Sequence, residues 1–108
     1  RLGAVGTFPT QDNVLFLSPV PSVPLLQVHA AFLTRVKDAG INCSPYYFPG
    51  VWVPHLTLEF EISNDELCRS MKVFKESFTP IDGEFTQLGV VQFRPIQYLD
   101  QFDLQKGN

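Results

Sequence analysis

Apolar residues recur along the chain with two different periods, and each switch between them marks a new element. "LGAVGTFP" (residues 2–9) and "NVLFLSP" (residues 13–19) are short apolar runs closed by proline, as strands are. Between them, "TQDN" carries Asp12 and Asn13, residue types that suit a tight turn, so the two runs predict an antiparallel hairpin. From Ser22 onward the period lengthens. Leu25, His29, Phe32, Leu33 and Val36 recur at helical spacing, with Ser22 placed to cap the start, Pro24 in the first turn and Gly40 as the stop.

Residues 41–53, "INCSPYYFPGVWV", hold Pro45, Pro49 and Gly50, which predicts an irregular aromatic loop with no regular element. "PHLTLEFEI" (residues 54–62) alternates again and predicts a strand. "SNDE" follows as a capping box, in which the Ser63 hydroxyl and the Glu66 carboxylate each satisfy a free backbone donor. Behind it Leu67, Met71, Phe74 and Phe78 form one stripe of a second helix, expected to be core and ended by Pro80 and Gly83. Two last strands, residues 84–93 and 96–104, flank Arg94-Pro95. The order ββα(loop)βαββ predicts an α+β fold, an antiparallel sheet with both helices on one face.

The chain is 108 residues long, which bounds it to a single domain spanning residues 1–108. At 44% hydrophobic and 18% charged it can bury a core. Its eight basic residues are scattered and the net charge is −3, which excludes a broad grip on a long nucleic-acid backbone but leaves room for a short phosphorylated ligand. No apolar run approaches the ~20 residues that span a bilayer. Cys43 and Cys68 fit no CxxC or zinc pattern and read as buried or half-buried thiols of a reducing compartment, the cytoplasm. No glycine-rich phosphate loop and no metal-ligand spacing is present. Arg1 runs straight into a strand pattern, so the chain is expected to be part of something longer.

Candidate chemistry concentrates in "GVWVPHLTLEF" (residues 50–60). Strand alternation puts His55, Thr57 and Glu59 on one face and Leu56, Leu58 and Phe60 on the other, which should go to the helices. An imidazole both takes and gives a proton near neutrality. A hydroxyl two positions on, about 7 Å along the strand, projects beside it and can donate to a phosphate oxygen. The aromatic loop adds Tyr46, Tyr47, Phe48 and Trp52, which could stack a nucleobase or cover the sheet's end. Trp52 and Tyr47, near His55 in sequence, are the expected cleft residues. Glu59 could orient a partner, and Arg1 and Arg94 could contact phosphate if they reach the groove, but isolated charges of this kind read first as surface.

"WVPHLTLEF" resembles the second histidine motif of the two-histidine phosphoesterases, the superfamily of RNA 2',3'-cyclic phosphodiesterases and 2'-5' RNA ligases. "LGAVGTFPTQDNVLFLSP" is similar to that family's strand ending in Phe-Pro and the strand after it, and "GEFTQLGVVQFRPIQYLDQFDL" to its closing hairpin. The resemblance implies a pseudo-two-fold, bilobal fold with a water-filled cleft and one H-x-[ST] pair from each lobe. It implies that one histidine activates water or an RNA hydroxyl while the other protonates the leaving oxygen. The Thr or Ser hydroxyls hold the phosphate, and neither metal nor cofactor is required. His55 and Thr57 take these roles here, on an RNA end or a cyclic nucleotide, with hydrolysis and ligation both open.

The family pattern has two such motifs and this sequence has one. The other histidine, His29, lies in "QVHAAFL", with Ala31 where a hydroxyl should stand, and its spacing makes it a half-buried helix residue. The chain is therefore expected to be the C-terminal portion of the phosphoesterase domain, and catalytically poor alone. Two alternatives keep the fold: a non-catalytic nucleotide- or protein-binding module, and a dimer that completes one site by exchanging a strand.

Overall fold

The computed structural model describes residues 1–92 and 97–104. It is α+β, with a three-stranded antiparallel sheet in the order β1-β2-β3 and two helices. Strands β1 (Leu2–Phe8) and β2 (Val14–Pro19) form the hairpin, in which Gly6 lies opposite Phe16 and Thr7 opposite Leu15. The turn uses Asn13 in the left-handed region, φ 47°, a conformation that asparagine tolerates better than most residues. The Asn13 side-chain amide donates to the Ile62 carbonyl (2.9 Å) and to Asn64 Oδ1 (2.8 Å), tying the turn to the segment after the third strand.

Strand β2 is the centre of the fold. Leu15, Phe16 and Leu17 are consecutive and all buried, so β2 is covered on both faces. Leu15 is 1% exposed, and burying a side chain of its size contributes about 1.5–3 kcal/mol. Helix α1 (Val23–Asp38) starts on Ser22, whose Oγ accepts from the Leu25 N–H, and buries Val36. It ends in a Schellman motif: the Gly40 N–H reaches the Lys37 carbonyl, the Ile41 N–H reaches that of Val36, and Gly40 sits at φ 79°. Helix α2 (Asn64–Ser77) starts with both arms of the Ser63–Glu66 capping box in place.

Five expectations need correction. Residues 41–53 contain a short 3-10 helix, Pro45–Tyr47, because Ser44 caps it and proline is tolerated in a first turn. Strand β3 is only Leu56–Glu59, shorter than residues 54–62. Pro54 has no N–H for a ladder, and Glu61, at φ 57°, turns away to donate to the Asp12 carbonyl. The stripe of α2 is half-buried, with no residue of that helix fully buried, and Leu56, Leu58 and Phe60 are 43%, 40% and 63% exposed. Helix α2 covers only one side of the sheet: one hollow beneath it is walled by Leu15, Leu58 and Phe74, another by Val5, Met71 and Phe78. Cys68 is exposed, whereas Cys43 is partly covered, and both are free thiols.

The last two strands, β4 (Gln87–Gln92) and β5 (Gln97–Asp103), make a separate two-stranded antiparallel sheet. A bridge between Leu2 and Ile81, with N–H···O distances of 2.8 and 3.0 Å, joins the segment before β4 to β1. Arg94 and Pro95, placed between these strands by the sequence pattern, lie outside the described residues.

Candidate active site

His55 stands one residue ahead of β3, on the chain that leaves the aromatic loop. Its Nδ1 lies 2.6 Å from the Val53 carbonyl oxygen. A carbonyl can only accept, so Nδ1 carries the hydrogen and donates it. In the neutral ring Nε2 then holds the free lone pair, and the imidazole is set to take or return a proton at that atom.

Two aromatic rings set the plane of this imidazole. Phe8, at the end of β1, meets it edge-on with ring centroids 4.9 Å apart and planes at 90°, and Phe16 of β2 meets it at 5.5 Å and 62°. The two phenyl rings touch each other at 4.5 Å. Phe16 lies there because its partner across the ladder is Gly6: a Cβ at that position would come within 2.8 Å of the ring. Neither phenylalanine was singled out from the sequence. The available signal was alternation, which turns Phe16, between Leu15 and Leu17, to the face opposite theirs.

His55 borders an open hollow of ≈ 440 Å³, walled also by Phe8, Tyr46, Tyr47 and Trp52. Both aromatic residues expected at a cleft, Tyr47 and Trp52, thus share one hollow with His55. Phe48 lies elsewhere, on the wall of a second hollow bordered by Cys43 and α1. On another side, Trp52 is stacked on His29 of α1, with centroids 3.7 Å apart and planes within 9°. His29 Nε2 is buried and has no hydrogen-bond partner, and burial lowers the pKa of this imidazole below its ordinary 6.5.

Thr57 is not part of the hollow's wall. It pairs with Phe16 across the ladder and so shares the sheet face of the ring that touches His55. Glu59 does not share that face. The ladder runs from Phe16↔Thr57 to Leu15↔Glu59, so Leu58 is an extra residue, a bulge that turns Glu59 toward the hollow beneath α2. Arg1 is paired with Asp82 at 3.9 Å, an exposed contact. Among the described residues no three His, Cys, Asp or Glu side chains converge as a metal ion would need, and no helix is long and apolar enough to cross a membrane.

The fold and site are those of an α+β domain with one free imidazole nitrogen on a residue that borders an aromatic hollow, and with Thr57 on the sheet face of Phe16, whose ring touches that imidazole. Comparison with protein families places it more closely. The model of the 2'-5' RNA ligase superfamily matches residues 1–95, and the chain belongs to that superfamily. No curated protein and no solved structure matches it.

Proposed function

We propose that the chain is the C-terminal portion of a metal-independent phosphoesterase that acts on 2',3'-cyclic phosphate ends of RNA or on a related cyclic nucleotide. The observation that carries the reading is the fixed tautomer of His55, which leaves Nε2 free on a residue that borders an aromatic hollow. Membership of the 2'-5' RNA ligase superfamily supports an RNA-related substrate. In hydrolysis, a base takes a proton from water as its oxygen attacks phosphorus, and an acid returns a proton to the departing ribose oxygen. His55 performs one transfer. The other needs a second proton carrier, supplied by a further H-x-[ST] motif beyond these residues, in a pseudo-two-fold fold. Thr57 donates its hydroxyl hydrogen to a phosphate oxygen, and Tyr47 and Trp52 receive the base. Cys43 and Cys68 fit a cytoplasmic setting, where free thiols stay reduced.

A second reading, a nucleotide-binding module without catalysis, draws on one observation: His29, the other imidazole, is spent on Trp52. Calorimetry and ³¹P NMR with 2',3'-cyclic AMP separate the two. Both readings expect binding, weakened about tenfold or more by Thr57→Ala, since a hydrogen bond to a charged group is lost. Only the enzyme reading expects turnover, slow for the 108-residue chain and reduced a further ~10²–10⁴-fold by His55→Ala where the second motif is present. Failure to bind cyclic nucleotide at millimolar concentration would sink both. Turnover by the chain alone at rates usual for intact two-motif enzymes would refute the single-carrier argument.

A further inference from the structure

We propose that His29 is a positioning residue: its imidazole is the underlay that holds the Trp52 indole as a platform for the substrate's base. This rests on the reading of Trp52 as the base-receiving residue. The contact is a full ring-on-ring stack, 3.7 Å between centroids and 9° between planes. Both rings are partly buried. Trp52 belongs to the wall of the His55 hollow and His29 does not, so the surface that Trp52 shows to the hollow is one that His29 leaves uncovered.

The geometry assigns the two residues to different layers. Trp52 sits in a loop segment between Gly50, at φ 85°, and Pro54, and its backbone N–H donates to the Phe48 carbonyl at 2.9 Å. A loop of this kind does not by itself hold a large ring in one plane. His29 sits mid-helix, on the inward stripe of α1, where its backbone is held in the helical hydrogen-bond ladder. Its Nε2 is buried without a partner, an arrangement normally disfavoured. With no hydrogen bond made at that nitrogen, the imidazole's described contact is its face-to-face stack on Trp52, which fixes the two ring planes relative to each other. A planar ring pinned from beneath presents a pre-oriented upper surface, and bases of any sequence stack on such a surface.

The experiment compares two probes on the full chain by calorimetry. One is 2',3'-cyclic AMP. The other is the 2',3'-cyclic phosphate of 1-O-methylribose, the same sugar and phosphate without the base. His29→Leu is expected to weaken the first about threefold to tenfold, the contribution of one aromatic pair, and to leave the second unchanged. His29→Phe, flat and aromatic, is expected to restore base binding to within about twofold. His29→Gln repeats the test if the leucine variant does not fold.

Equal loss for both probes overturns the inference, because His29 would then act through general stability. So does a His29→Leu or His29→Gln protein that binds cyclic AMP as the parent does. In both cases the parental protein still binds, and the phosphoesterase reading survives. A parental protein that binds neither probe overturns the reading and the inference together.

Discussion

Gly6→Ala tests the packing that aims His55. The added Cβ would lie 2.8 Å from two ring carbons of Phe16, roughly half an ångström inside van der Waals contact. The ring cannot swing freely aside. It is 7% exposed, touches Phe8 at a centroid distance of 4.5 Å, and has His55 on another side at 5.5 Å. Overpacking of this kind costs about 1–3 kcal/mol, while replacing glycine recovers about 0.4–1 kcal/mol from the unfolded chain. A net loss of about 1–2 kcal/mol is expected. Urea unfolding followed by Trp52 fluorescence reads this directly, since Trp52 is the only tryptophan. With a slope of about 1–2 kcal/mol/M the midpoint should fall by about 1 M.

Gly3→Ala is the internal control. Its Cβ would meet a single methyl group of Val20 at 2.9 Å, but that side chain is 51% exposed and can rotate away. The His55 ring resonances should shift in Gly6→Ala and stay in place in Gly3→Ala. Adding Phe16→Leu should shrink the effect of Gly6→Ala, the sign of direct coupling. Equal midpoints for the two alanine variants, with His55 undisturbed in both, would refute the argument that Gly6 makes the room for Phe16.

Three further outcomes follow from the same geometry. Because burial lowers the folded-state pKa of His29, the unfolded chain binds this proton more readily; its contribution to stability is complete above about pH 6.5 and is lost as pH falls below it toward the folded value. Denaturant midpoints should therefore drop with acidification in the parent, and drop less in His29→Phe. Ser63→Ala removes the hydroxyl that accepts from the Glu66 N–H and should cost about 1 kcal/mol by the same urea assay, with no change at His55. Val53 accepts the Nδ1 hydrogen of His55 through its backbone, so ¹⁵N shifts of that ring should show the Nδ1–H form in the neutral protein.

Much of this fold was legible from the order of residues alone. The helix bounds followed from Ser22, Gly40 and the Ser63–Glu66 box, because caps act on backbone groups within one turn and need no distant partner. The α+β class followed from the switch between the two apolar periods. His55 and Thr57 stood out because alternation along a strand is also local. Other features depend on groups that meet only in three dimensions. Leu58 bulges because β3 must pair with β2, and that shift carries Glu59 to the other face. Phe8, Phe16 and Gly6 surround or permit His55 only once three strands lie side by side. Helical spacing marked His29 as inward-facing, yet its partner, Trp52, comes from a loop that no periodicity orders. Local patterns set which way a side chain points; what it meets there is decided by the long-range closure of the chain.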